Sequence, residues 1–151
     1  LNRKIFPIEA KSSGSYRSSV ISRIEAKQQG FEDCIMLDNE KFISETTACN
    51  IFWIKNNVVY TPTTDSALNG ITRQAVIRIL KKAKIICRIG KFNMKDILKA
   101  DTVFLTGTAA EIQLVGKILK RRYNLNNDIY KLIKKNYDII KFKNLNSINS
   151  I

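Results

Sequence analysis

Apolar and polar positions along the chain divide it into short segments with two different periods. From Tyr16 to Gln29, Val20, Ile21 and Ile24 recur at helical spacing, and Gly30 is a suitable stop. The period then shortens. Cys34 to Asp38 is a brief apolar run closed by the turn pair Asp38-Asn39, and Phe42 to Thr47 and Ile51 to Lys55 read as strands. Asn56-Asn57 stands between Ile51–Lys55 and Val58–Tyr60. That is the length of a two-residue hairpin turn, which asparagine suits because it tolerates positive φ. Pro62 ends the run.

The helical period returns from Thr72 to Lys84, where Ala75, Val76, Ile79, Leu80 and Ala83 share one face and Thr72 is the expected N-cap. Ile85 to Ile89 is a strand candidate, and Asn93 should cap a short helix over Met94–Ala100. Thr102 to Leu105 reads as a buried strand that runs into Thr106-Gly107-Thr108-Ala109, and Glu111 to Ile118 as a further strand. Asn126 to Phe142 alternates Ile, Leu and Tyr with Lys, the pattern of a terminal amphipathic helix. Leu1 to Pro7 reads as the end of a linker or strand, and residues 146–151 as a frayed tail. The order predicts one α+β domain over residues 1–145, not a regular βαβ array.

Composition narrows the chemistry. The chain contains no histidine, which excludes Ser-His-Asp and Cys-His nucleophilic sites and every His-based metal motif. Cys34, Cys49 and Cys87 are scattered without CxxC spacing, so neither a zinc site nor a disulfide framework is expected. No apolar run reaches the roughly 18 residues of a membrane span, no signal peptide is visible, and a reducing cytoplasm is the default location. The net charge is +13, of which +7 falls between Lys117 and Lys143. A basic face can bind nucleic acid, but no aromatic-basic RNA motif accompanies this one. A solvated surface in a chain rich in Lys, Asn and Ile is the expected reading, and a non-enzymatic basic binding module is its rival.

Two segments are suited to anions. Leu68-Asn69-Gly70-Ile71-Thr72-Arg73 delivers a glycine turn into a helix, whose first amides lack internal partners and whose dipole favours negative charge. Thr106-Gly107-Thr108-Ala109 is a small-residue turn after a strand, where amides can form an anion nest. Most segments of either kind bind nothing.

Five stretches together resemble the class IV, pyridoxal-phosphate-dependent aminotransferases. They are AKSSGSYRSSV (Ala10–Val20), EAKQQGFEDCIMLD (Glu25–Asp38), ISETTACNIFWIKNNVVYTP (Ile43–Pro62), LNGITRQAVI (Leu68–Ile77) and ADTVFLTGTAAEI (Ala100–Ile112). They stand in the family's order and spacing. The resemblance implies the large C-terminal domain of a fold type IV enzyme, with mainly antiparallel strands and flanking helices. It implies that Lys11 is the Schiff-base lysine, which must be neutral to react and would carry a proton as base and then acid. It places Glu45 at the pyridine nitrogen and Tyr16 on the phenolic oxygen of pyridoxal 5'-phosphate. Ile71 and Thr72 fall on the phosphate-binding helix start. Thr108 falls on a turn threonine shared between phosphate and substrate carboxylate, with Ala109 adding an amide.

Within the family, Thr106–Glu111 and Leu68–Arg73 are closer to branched-chain-amino-acid aminotransferase, which uses 2-oxoglutarate as amino acceptor. Glu45–Trp53 is closer to aminodeoxychorismate lyase and lacks the usual Gly-rich, Glu-Asn version. D-amino-acid aminotransferase shares the scaffold. Amino acids and 2-oxo acids are the implied substrates, and a homodimer the implied assembly. Family members carry a small N-terminal domain ahead of the lysine, here missing, that supplies an arginine to the phosphate and much of the substrate pocket. With Lys11 so near Leu1, the expectation is an inactive or nearly inactive chain, either a decayed product or one half of a split enzyme with a separately encoded N-terminal part. Gly116-Lys117 is a poor match to the family's Asp-Gly turn.

Overall fold

The computed structural model describes residues 13–148, with side chains from 19 to 142. Lys11, Leu1–Pro7, the side chain of Tyr16 and the last three residues of the expected tail lie outside that description.

The first helix, α1 (Ser13–Gln28), begins three residues before the apolar spacing does. Its Val20, Ile21 and Ile24 are more than half exposed, and only Ala26 is buried. The stripe that announced the helix is therefore not what the described residues cover. Gly30 adopts a positive φ of 82° just beyond the helix end, as a C-terminal glycine should.

The short strands β1 (Ile35–Leu37) and β2 (Ile43–Thr46) pair antiparallel. A five-stranded sheet follows, built from β3 (Asn50–Lys55), β4 (Val58–Pro62), β5 (Cys87–Gly90), β6 (Thr102–Gly107) and β7 (Glu111–Val115) in the order β5-β4-β3-β6-β7. All neighbours are antiparallel except β4 and β5. A parallel neighbour needs a crossover, and α2 (Ile71–Lys82) supplies it. The Asn56-Asn57 turn joining β3 to β4 has both residues at positive φ, 49° and 60°, as the two-residue hairpin requires.

The sheet is apolar on both faces. On one face Phe52, Ile54, Val59 and Phe104 meet Val76 and Leu80 of α2 and Ile133 of the terminal helix α4 (Asp128–Ile148). Phe52 and Phe104 stand opposite each other in register and stack with centroids 5.1 Å apart. On the other face Ile51, Trp53 and Val103 meet Ile43, Ile97, Ala100 and Tyr123. Ile97 lies on α3 (Met94–Leu98), whose N-terminus is capped reciprocally. Asn93 Oδ1 accepts from the Lys95 amide and Asp96 Oδ2 accepts from the Asn93 amide.

Two expectations are corrected. The helix expected to start at Thr72 starts at Ile71, with Gly70 as the N-cap in extended conformation, so Thr72 is its second residue. The strand expected from Glu111 to Ile118 ends at Val115. Gly116 O accepts from the Tyr123 amide, and the chain leaves the sheet there for a small hairpin of β8 (Lys117–Ile118) and β9 (Arg121–Arg122).

Among the described residues no helix is long and apolar enough to cross a membrane. Phe52 has no solvent exposure and joins the sheet to both α2 and α4, so Phe52→Ala should lower stability by about 3–5 kcal/mol, read as a lower midpoint in urea denaturation.

Candidate cofactor-binding site

The two predicted anion-binding segments and Glu45 meet at the Asn50 end of β3. Glu45 lies on β2, one turn before β3, and Asn50 is the first residue of β3. Asn50 Nδ2 donates to Glu45 Oε2 at 3.3 Å and to Leu68 O at 2.7 Å. The Leu68 amide donates to the same Glu45 oxygen at 3.2 Å. Glu45 is thus held by one carboxamide and one amide, and among the described residues no cation pairs with it. Burial pushes its carboxyl above the ordinary carboxylate range, and the Leu68 hydrogen bond offsets part of that rise.

Leu68 opens the approach to α2. Gly70 is drawn so close to Asn50 that a Cβ there would stand 2.5 Å from Asn50 Oδ1. The Gly70 amide donates to Leu68 O, and Gln74 makes the first helical bond, to Gly70 O. The amides of Ile71, Thr72 and Arg73 have no acceptor among the described residues. No side chain caps them, and no acidic residue stands in the first turn. These three donors at the positive end of a helix make an anion cradle. Thr72 is buried, yet its hydroxyl also has no described partner, whereas Ile71 is 79% exposed and contributes through backbone alone.

The second segment closes the same end from β6. Thr106 is the register partner of Asn50. Its Oγ1 is fully sealed from solvent without a hydrogen-bond partner, the one such side-chain atom among the described residues. A Cβ on Gly107 would stand 3.0 Å from Cys49 Sγ, so this turn lies against the loop that follows Glu45. Thr108 and Ala109 form the exposed tip of the β6–β7 turn. Glu111, at φ 54°, pairs with Lys134 and Lys141 of α4 and ties the turn to that helix.

Glu45, Ile71, Thr72, Thr108 and Ala109 are therefore brought to one end of the sheet, while Lys11 and the Tyr16 side chain lie outside the described residues. Asn50 was not singled out from the sequence, and Leu68, Asn69 and Arg73 were named only as members of an anion-suited segment, with no individual role. Their signal was faint: an asparagine five residues after Glu45, and a polar Leu-Asn-Gly approach to a helix. A cavity of about 800 Å³ is lined by Thr46, Ile51 and Leu105, the chain neighbours of Glu45, Asn50 and Thr106, together with Phe31, Cys34 and Tyr123 among others, and includes none of the predicted site residues.

These features fit a phosphorylated pyridine cofactor. The uncapped amides, the approach only glycine permits at residue 70 and the orphan Thr106 hydroxyl suit a phosphate, and the desolvated Glu45 carboxylate suits a protonated ring nitrogen.

The profile of the family described as "Amino-transferase class IV" matches residues 1–118. A "probable branched-chain-amino-acid aminotransferase" of Rickettsia bellii (strain RML369-C) is 39% identical over 114 residues, covering 76% of this chain and 39% of the relative. The branched-chain amino acid aminotransferase of Escherichia coli superposes with a TM-score of 0.84 at 35% identity, covering 89% of this chain and 47% of that one. The T.th. branched-chain amino acid aminotransferase complexed with N-(5'-phosphopyridoxyl)-L-glutamate gives a TM-score of 0.85 at 29% identity, covering 91% and 47%. The chain thus spans less than half the length of these relatives.

The raised Glu45 carboxyl has a consequence for stability. Below the unfolded value of about pH 4.3 it is protonated in both states. As pH rises from there through the folded value, the unfolded chain has already released the proton, so stability falls across that window and stays lower above it. Glu45→Gln should flatten this fall and raise the denaturation midpoint at neutral pH, checked by urea titrations of both proteins at a series of pH values. Gly70→Ala should act oppositely. Its Cβ must push Asn50 aside, at a cost of about 1–3 kcal/mol, read as a lower melting temperature.

Proposed function

This chain belongs to the class IV amino-transferases, and on that premise we propose that it forms the cofactor-holding domain of an enzyme that transaminates branched-chain amino acids to 2-oxo acids, with pyridoxal 5'-phosphate as cofactor and 2-oxoglutarate as amino acceptor. The observation that carries the proposal is the junction at Asn50. One carboxamide joins the carboxylate expected at the ring nitrogen to the loop entering the phosphate-binding helix.

In this reading the amides of Ile71 and Thr72, with the Thr72 hydroxyl, hold the phosphate from the helix end. Thr108 and the Ala109 amide approach from the β6–β7 turn and also receive the substrate carboxylate. Glu45 keeps the ring nitrogen protonated. Tyr16 donates to the phenolic oxygen, and Lys11 anchors the cofactor and moves the proton at the substrate Cα, first as base and then as acid. The bound cofactor supplies an electron sink for the charge left when the Cα–H bond breaks.

The exposed position of Thr108 and Ala109 agrees with a substrate-facing role, since a turn tip is where an incoming carboxylate arrives. The choice of branched-chain substrate rests on the Rickettsia bellii and Escherichia coli relatives and on the Thr106–Glu111 segment.

Mixing the chain with pyridoxal phosphate should produce a yellow species bleached by borohydride, with the adduct mapped by mass spectrometry to Lys11 and lost in Lys11→Ala. An adduct spread evenly over surface lysines would remove Lys11 from its role. Glu45→Gln should weaken cofactor affinity by about tenfold or more while leaving the fold intact, measured by absorbance titration. With leucine and 2-oxoglutarate as substrates, glutamate should appear. Pyruvate released from aminodeoxychorismate, with no glutamate from leucine, would replace the transaminase reading with a lyase.

A further inference from the structure

Arg73 is the third residue of α2 and only 4% exposed. Its guanidinium donates through Nη1 to Asn69 Oδ1 at 3.1 Å and through Nη2 to Pro62 O at 2.9 Å. Both acceptors are neutral, and no carboxylate pairs with it among the described residues. The titratable neighbour that acts on it is Cys87, whose thiol burial pushes up to about 11 and which is therefore uncharged near neutral pH. The hydrogen bonds of Glu45 go to Asn50 and Leu68, and none joins it to Arg73 among the described residues.

This is an expensive arrangement. A buried charge without a counter-charge is unfavourable, and a cation in the first turn of a helix also opposes the dipole. The same turn presents three unpartnered amides, so positive ends are gathered with nothing among the described residues to balance them. A doubly charged anion at the cradle would offset these unfavourable terms by its attraction to the guanidinium and the amides alike. The hydrogen bonds of Arg73 have a second effect. They tie the end of β4 to the residue before Gly70 and so brace the loop from Pro62 to Gly70. Gln74 Nε2 donates to Asn69 O and Ser44 Oγ to Ser66 O, bracing it further.

We infer that Arg73 is a positioning residue for the cofactor's phosphate. Without touching the phosphate, it clamps the Pro62–Gly70 loop so that the α2 amides point at one place, and its buried charge raises their affinity for a dianion. The inference rests on the proposed cofactor site and concerns only how the phosphate half is held.

Pyridoxal, which lacks the phosphate, separates the two halves. Affinities of the full chain for pyridoxal phosphate and pyridoxal are measured by absorbance titration, alongside melting curves without ligand. Wild type should prefer pyridoxal phosphate. Arg73→Met should reduce that preference by about tenfold or more, with pyridoxal affinity changed by about twofold at most. Arg73→Lys, which retains charge but not the planar fork, should recover most of the preference. Failure of the lysine to recover it would overturn the electrostatic half of the inference. If Arg73→Met shows no unfolding transition, Arg73→Gln, which still offers an N–H donor to Pro62 O, carries the same comparison. An unchanged preference in a folded neutral variant overturns the inference and leaves the site standing. Absence of any preference in wild type overturns the site itself.

Discussion

The Asn50 carboxamide is the contact on which the site's geometry depends. It is buried at the first position of a central strand, where its backbone is fixed by pairing with β6 and its side chain has little room. From there it reaches Glu45 on one side and Leu68 on the other, and its oxygen lies against Gly70. A side chain that stiff turns three separate loops into one surface. Replacing its NH2 would leave Glu45 Oε2 and Leu68 O each with a single backbone amide donor and would uncouple the two segments from each other.

Much of the fold was legible in the hydrophobic pattern because most elements are amphipathic or short and apolar. The helix over Ile71–Lys82 followed from its stripe, and the β3–β4 hairpin from Asn56-Asn57. Errors arose where a local signal had a competitor. Thr72 looked like a cap, but Gly70 makes the close approach to Asn50, and the helix begins right after it. The strand ran on past Val115 in the pattern because Lys117 and Ile118 are themselves strand-like. A single backbone bond from Tyr123 to Gly116, unreadable from composition, takes the chain elsewhere. Val20, Ile21 and Ile24 predicted a helix correctly, yet spacing alone cannot say what, if anything, covers the stripe.

The candidate site was legible in part, and for a specific reason. Glu45, Thr72 and Thr108 were named only because five stretches resembled a family together; each residue alone would have been a surface carboxylate, a helix cap and a turn. The groups that hold them in place received no individual role by either route. Asn50, Asn69 and Arg73 act through hydrogen bonds to backbone oxygens and neutral side chains, which leave no periodicity and no charge pairing to detect. Among the described residues the site therefore concentrates uncompensated polarity in one corner, with a desolvated carboxylate, a desolvated guanidinium, amides without acceptors and an orphan hydroxyl. The sheet beneath it is apolar on both faces and carries the stability that this corner lacks.

The strand pairings of the central sheet differ in how far along the chain they reach. The Asn56-Asn57 hairpin joins neighbours in sequence and can close within microseconds. The β3–β6 pairing, which brings Asn50 to Thr106, closes a much longer loop across the crossover helix, β5 and α3, and so carries a larger loop-closure entropy. The recognition corner thus rests on a pairing between distant parts of the chain, and anything that binds it only in the folded state stabilises that pairing, so occupancy of the corner and integrity of the sheet are linked.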